Sequence, residues 1–251
     1  MWGRSPHGDA ASVSRLYRDT GVVLRTYKLG EADRIVVLLT AENGKVRAVA
    51  KGVRKTNSKF GARLEPMSHV KVLLYRGREL DIVSQAESVE SLAPMLASLD
   101  RASRGIATLE AVDMIAIERQ PNRRLYEMLV GALRTIAAHP SPVVVPAFFW
   151  KLLAAEGFRP VTDRCVRCGE AGPLVAFDVG EGGTLCRACR QGTPISAPAL
   201  ALLNDILGGR LNEALAADES SATHEVASLA THAIEHHVER RLRAVAMFEG
   251  A

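Results

Sequence analysis

Arg34-Ile35-Val36-Val37-Leu38-Leu39-Thr40 and Lys45-Val46-Arg47-Ala48-Val49-Ala50-Lys51 are two strand-length runs joined by Asn43-Gly44, a turn dipeptide. The second run alternates: Val46, Ala48 and Ala50 fall on one side, and Lys45, Arg47, Val49 and Lys51 on the other. Gly21–Tyr27, with Val22, Val23 and Leu24, reads as a strand before them, and His69–Tyr75 and Leu80–Glu87 as two strands after them. Turn signals at Lys28-Leu29-Gly30-Glu31 and Arg76-Gly77 separate the outer strands. The link Gly52–Ser68 is much longer than the other connections. Five short strands with one long link after the third predict a small closed barrel of the OB type; an SH3-like barrel is its nearest rival on spacing.

Outward from the barrel, the pattern changes to helix. Ile106, Leu109, Met114 and Ile117 predict a helix over Ser103–Arg119, and Leu125, Leu129, Leu133 and Ile136 one over Asn122–Ala138. Pro146–Glu156 reads as a third helix, with proline in its first turn and Gly157 as its stop. Residues 165–192 are glycine-rich and read as irregular. Helices return over Pro198–Leu207 and Ala222–Phe248. The expected class is α+β multidomain. Residues 1–14 form a disordered extension, 15–90 an OB-type nucleic-acid-binding domain, 91–164 a helical domain, 165–192 a zinc-binding insert, and 193–251 the helical domain continued.

All four cysteines of the chain stand in two pairs, Cys165-Val166-Arg167-Cys168 and Cys186-Arg187-Ala188-Cys189, with seventeen residues between them. Two C-x2-C turns at this separation supply a closed tetrahedral thiolate site, which predicts one structural zinc ion. Two disulfides would require an oxidising compartment. A redox motif would not be needed twice, and a catalytic zinc requires an open coordination position. The expected task of the ion is to staple an insert too short to build a core. Arg164, Arg167, Arg187 and Arg190 flank the pairs and read as solvated charge, with phosphate contact as the alternative.

Charge is unevenly distributed. The chain carries +4 in total, but residues 1–80 carry +9 and residues 81–251 carry −5. The densest basic stretch is the long link itself, where Lys51, Arg54, Lys55, Lys59 and Arg63 occur without an acid between them. Gly52 and Gly61 permit close backbone approach, and Thr56, Asn57 and Ser58 can donate to phosphate. Phe60 reads as a core anchor pinning the loop, with base stacking as the alternative. Arg25, Lys28 and Arg34 extend the patch in this reading, unless Arg34 pairs with Glu31 or Asp33.

Other chemistry is poorly supported. There is no G-x-x-x-x-G-K-[ST] phosphate loop, so ATP hydrolysis is not expected. His232-Ala233-Ile234-Glu235-His236 matches the H-x-x-E-H metalloprotease pattern, but no third carboxylate ligand accompanies it, and it reads as a polar helix face. No secretory signal or membrane span is visible, and the expected location is a reducing cytoplasm.

The run Leu16-Tyr17-Arg18-Asp19, Gly21-Val22-Val23-Leu24 and Leu29-Gly30-Glu31-Ala32-Asp33-Arg34 resembles the opening of the RecO family of bacterial recombination mediators. Ala50-Lys51-Gly52-Val53-Arg54-Lys55, Ser58-Lys59-Phe60 and Leu64-Glu65-Pro66 resemble it too, as does the order of barrel, helices and cysteine insert. The resemblance implies a non-enzymatic DNA repair protein that binds single- and double-stranded DNA and anneals complementary strands. It further implies partnership with RecR and single-strand-binding protein, help in loading RecA onto coated strands, and association with the nucleoid. Lys51, Arg54, Lys55, Lys59 and Arg34 become the expected DNA contacts, with Arg63 beside them. The extension Met1–Ser14 has no counterpart in the family, which suggests a translation start at Val13. The runner-up function is a zinc-ribbon RNA-binding or ribosome-associated protein.

Overall fold

The computed structural model describes residues 15–242 apart from 56, 92 and 140. The extension 1–14, the start at Val13, Thr56 and the last turns expected of the C-terminal helix lie outside the described residues.

Five strands, β1 (Leu16–Leu29), β2 (Asp33–Thr40), β3 (Gly44–Ala50), β4 (His69–Tyr75) and β5 (Asp81–Ser88), close into a barrel in the order β1-β2-β3-β5-β4. All pairings are antiparallel except β3 with β5, where Ala48 and Val49 meet Asp81 and Ile82 in parallel. This is the expected OB-type barrel, with β5 crossing over to lie beside β3. β1 begins five residues earlier than its apolar run, because Leu16–Thr20 pair with β4. A polar strand that faces solvent on one side has no hydrophobic run to announce it.

The two patterns in the sequence separate two environments. Along β3, Val46, Ala48 and Ala50 fill the barrel, while Lys45, Arg47 and Val49 point outward. Along β2, Val36 and Leu38 fill the barrel, but Val37 and Leu39 are also buried, in the helical core. Val22 and Leu24 of β1 do the same. The continuous apolar runs are therefore strands covered on both faces.

The cover consists of helices α1 (Ala93–Leu96), α2 (Leu99–Ile115), α3 (Arg123–Ala138) and α4 (Val144–Ala155), joined by α5 (Ala197–Gly208), α6 (Leu211–Leu215) and α7 (Ser221–Val238). α2 and α3 lie against the barrel, and α4 packs on α7. Ser98, Asn122, Ser196 and Ser220 each accept a backbone N–H three residues on, which fixes four helix starts. The expected helix Ser103–Arg119 is shifted: it begins at Leu99 on the Ser98 cap and ends at Ile115, where the chain crosses to the barrel and Arg119 donates its N–H to the Lys45 carbonyl. α7 ends at Val238, where Glu239 turns left-handed (φ 51°) and the chain reverses to bury Leu242, so the expected helix does not continue to that point.

The glycine-rich segment is not irregular. Strands β6 (Leu174–Asp178), β7 (Gly183–Cys186) and β8 (Thr193–Pro194) form a small ribbon in the order β7-β6-β8. Its glycines serve the ribbon: a side chain at Gly183 or Gly192 would come within 2.5 Å of the Val161 or Phe177 carbonyl. Phe177 reaches out of the ribbon to pack edge-on against Trp150 of α4, at 5.6 Å between ring centroids.

Candidate nucleic-acid interface and metal centre

The long basic link between β3 and β4 is a plug rather than a free arm. Phe60 and Leu64, the latter on a short 3-10 turn (Gly61–Leu64), insert into the barrel interior and are each 1% exposed. Burying the two side chains contributes on the order of 4 kcal/mol. Phe60 is thus the core anchor, and base stacking falls to another residue or none. The root of the plug is tied to the β1–β2 turn: Gly52 donates its N–H to the Asp33 carboxylate at 2.7 Å, and Arg54 donates its N–H to the Ala32 carbonyl at 3.0 Å.

Five cations ride on this plug, and all are exposed. Arg54 reaches the carbonyls of Glu31 (2.8 Å) and Gly30 (3.3 Å). Lys59 donates to the Ser84 carbonyl at 2.8 Å, and Arg63 to the Lys59 carbonyl at 3.0 Å. Lys51 and Lys55 make no side-chain bond among the described residues. None of the five forms an ion pair among the described residues. Carbonyls fix three of these side chains without cancelling their charge, so the plug presents a preorganised cationic surface. Such a surface suits a polyanion better than a single small anion.

Two expected extensions of the patch have acidic partners within the protein. Arg34 is ion-paired, with neither Glu31 nor Asp33 but Glu65, at 2.6 Å. Asp33 is committed to the Gly52 N–H, and Glu65 sits where the plug returns to the barrel. Arg25 is held by Asp113 of α2 at 2.8 Å, and the same carboxylate lies 3.5 Å from Lys45. Lys28 remains exposed and adjoins the turn that Arg54 braces.

A joint that the sequence did not reveal binds barrel to helices. Asp81, wholly buried, receives both Nη atoms of Arg119, at 2.7 and 2.9 Å, together with the Tyr17 hydroxyl and the Gly77 N–H. Burial alone would raise the Asp81 pKa, but the hydrogen bonds from Arg119 and Tyr17 hold it below the ordinary carboxylate value. Burial and the neighbouring carboxylate push the Tyr17 hydroxyl up to about 12. Arg119 takes a left-handed backbone (φ 62°) to reach this position. The nearest sequence signal is Gly44, whose absent side chain leaves room for the Gln120 carbonyl, 2.0 Å from where a Cβ would stand.

The four cysteines converge. Their sulfur atoms all lie within 4.8 Å of one another, with Cys168 Sγ and Cys186 Sγ at 3.6 Å. A tetrahedral zinc at about 2.3 Å from each thiolate requires sulfurs about 3.8 Å apart, so the donor set fits the ion. The same separation is far from a disulfide bond, near 2.05 Å. The first knuckle is closed by the Gly169 N–H on the Cys165 carbonyl at 2.9 Å. Burial disfavours the Cys165 thiolate, yet backbone N–H groups of Cys186, Cys168 and Arg167 outweigh it and bring the pKa down to about 6. The packed sulfurs of Cys168 and Cys186 push Cys189 up to about 12. Four thiols so close cannot all ionise unless a cation sits among them.

Arg167 braces the ribbon through Glu181 at 2.7 Å and Gln191 at 2.7 Å, and Arg164 lies 3.4 Å from Asp163. Arg187 and Arg190 stand exposed on the ribbon. His232 and His236 are exposed on α7, and among the described residues the cysteines form the one cluster suited to a metal. The Glu235 carboxylate accepts the Leu242 N–H at 2.8 Å, a structural task.

Both halves of this arrangement have counterparts among known proteins. Residues 14–92 match the family model described as Recombination protein O N terminal, and residues 96–246 the one described as Recombination protein O C terminal. The chain belongs to the RecO family. It is 43% identical to the DNA repair protein RecO of Frankia casuarinae over 242 residues, covering 94% of this chain and 99% of that protein. The family is one of DNA repair and recombination, and among the described residues no helix is long and apolar enough to cross a membrane.

Proposed function

We propose that this chain is a recombination mediator that binds single- and double-stranded DNA through the barrel plug and anneals complementary strands. The observation that carries this reading is the set Lys51, Arg54, Lys55, Lys59 and Arg63, held on one rigid plug with no carboxylate partner among the described residues. Two DNA strands repel one another through their phosphates. A surface that neutralises phosphates on both releases counterions and lowers that repulsion, so base pairing follows without bond chemistry. The protein acts by binding rather than as an enzyme, in the bacterial cytoplasm at the nucleoid. RecR and single-strand-binding protein are its partners, and it aids RecA indirectly by clearing coated strands.

In this reading the cysteine site holds one zinc ion, through Cys165, Cys168, Cys186 and Cys189. The ion supplies a structural crosslink, with every coordination position filled by protein. Annealing of complementary oligonucleotides tests the proposal, measured across a salt series with and without single-strand-binding protein. Accelerated duplex formation that fades steeply with salt is the expected result. No acceleration at low ionic strength would overturn it.

A further inference from the structure

The two cysteine pairs are anchored by different means. On the first, Cys165 donates its N–H to the Glu170 carbonyl at 2.8 Å, and Val166 donates its N–H to the Thr184 carbonyl of β7 at 3.0 Å. The Thr184 hydroxyl returns a bond to the Arg164 carbonyl at 3.0 Å. Backbone groups and a buried threonine therefore fix this knuckle to the ribbon. The second knuckle begins at Cys186, the last residue of β7, which still pairs with Leu174 of β6. Beyond it the chain leaves the strand, and Cys189 and Gln191 stand outside the ladder until β8 begins at Thr193.

A side chain of the first knuckle reaches across to this open end. Arg167, between Cys165 and Cys168, donates to the Gln191 side-chain oxygen at 2.7 Å and to the Cys189 carbonyl at 3.4 Å. Its Nε lies 2.7 and 2.8 Å from the two oxygens of the Glu181 carboxylate. Glu181 is itself held in the β6–β7 turn, where its N–H meets the Asp178 carboxylate at 3.0 Å. One guanidinium thus ties both knuckles to the turn between the strands. It meets three groups from one rigid plane, which an ammonium on a flexible stem cannot reproduce.

We propose that Arg167 governs how firmly the chain holds its metal, by positioning the second cysteine pair against the first. The inference rests on the reading of the cysteine cluster as a zinc site. All four sulfurs must keep their mutual spacing, within 4.8 Å, to reach a single ion. Cys165 and Cys186 are buried, whereas Cys168 is exposed and Cys189 half-buried. Each knuckle therefore has one sulfur near the surface, where a competing chelator enters. Arg167 stands at that edge, next to Cys168 in the chain and bonded to the Cys189 carbonyl. A zinc tetrathiolate carries two negative charges, so a nearby cation could also act by charge alone. Here Glu181 cancels the charge of Arg167, and geometry is the contribution left to it.

The test mixes the zinc-loaded full chain with an excess of a chromophoric zinc chelator and reads the rate of metal transfer. Arg167→Ala is expected to release zinc about tenfold faster than wild type, the order of effect seen when a residue that orients metal ligands is lost. Arg167→Lys and Glu181→Ala should release it nearly as fast, since each breaks the clamp. Cobalt in place of zinc reports what remains. Arg167→Ala should keep the charge-transfer and ligand-field bands of a tetrahedral tetrathiolate, which a ribbon that had lost its fold would not. An unchanged release rate in Arg167→Ala overturns the proposal. Rescue by Arg167→Lys with slower release in Glu181→Ala also overturns it, because that pair of results means charge compensation. Loss of the tetrahedral cobalt bands overturns it as well, since Arg167 would then be a requirement of the fold. A wild-type chain that takes up no metal overturns the zinc reading and the inference with it, whereas uptake followed by equal release overturns the inference alone.

Discussion

The barrel carries two sets of cations that composition does not distinguish. Arg25, Lys45 and Arg47, on the flank that faces the helices, are met by carboxylates of the helical domain, Asp113 and Glu118. Lys51, Arg54, Lys55, Lys59 and Arg63, on the plug, are met by backbone carbonyls or by solvent. The first set joins two parts of one protein. The second remains electrostatically open. Counting basic residues along β1–β3 and the link would assign all of them to one DNA-binding patch. Their partners decide otherwise, because a carboxylate cancels a charge and a carbonyl only positions it.

Removing the metal is the largest perturbation that bears on this contrast. Arg187 and Arg190 are a third set of exposed cations, displayed by the ribbon. Structural zinc sites of this type bind with about 10–16 kcal/mol, so replacing Cys165 with Ser should unfold the ribbon. Metal analysis should show the loss of one zinc per chain, and the near-ultraviolet circular dichroism of the Trp150–Phe177 pair should collapse. The salt dependence of DNA binding should hold if the plug alone is the open surface. A slope flattened by more than about 0.7 would bring ribbon arginines into the interface and blur the distinction.

Next in size is the joint. Arg119→Ala strands the buried Asp81 carboxylate and should cost about 3 kcal/mol in urea unfolding, while leaving the salt slope of DNA binding alone. A changed slope would show that the joint also sets the pose of the plug. The joint has a pH signature. Asp81 is held below its ordinary pKa, so its contribution is complete above about pH 4 and is lost as pH falls through the folded value. Tyr17 is pushed up to about 12, so its contribution is complete below about pH 10 and is lost as pH rises through 12. Burial also raises the Tyr126 hydroxyl, so ultraviolet titration should find more than one tyrosine ionising late, and Tyr17→Phe should remove the step near pH 12.

What was legible in the sequence follows from range. The β3 alternation and the C-x2-C spacings are short-range patterns tied to strand geometry and metal geometry, and both are found in the structure. The uninterrupted run Ile35–Leu39 announced a strand but not that its second face belongs to the helices. Arg119 looked like the end of a helix, and its partner Asp81 stands 38 residues earlier. Glu65 as the partner of Arg34 was equally remote, at 31 residues. The ribbon strands, of five, four and two residues, are too short to carry a hydrophobic period, and the glycines lie mostly in the turns between them. Their pairing depends on backbone contacts that become possible once the two knuckles are brought together.

The smallest expected effects sharpen the contrast most, because they compare like with like. Lys51→Ala with Lys55→Ala removes two open cations that brace nothing among the described residues, whereas Arg54→Ala would also release the β1–β2 turn. Stability should stay within about 0.5 kcal/mol of wild type. On single strands, each phosphate that is no longer neutralised lowers the steepness of log affinity against log salt by about 0.7, so the pair should flatten it by about 1.4, equally for all base sequences. Arg25→Ala removes one exposed cation from the same barrel, but one already cancelled by Asp113. It should cost less than about 1 kcal/mol of stability and leave the slope where it was. Should the two variants flatten the slope to the same extent per charge removed, proximity to the barrel, and not the nature of each cation's partner, would govern contact with DNA.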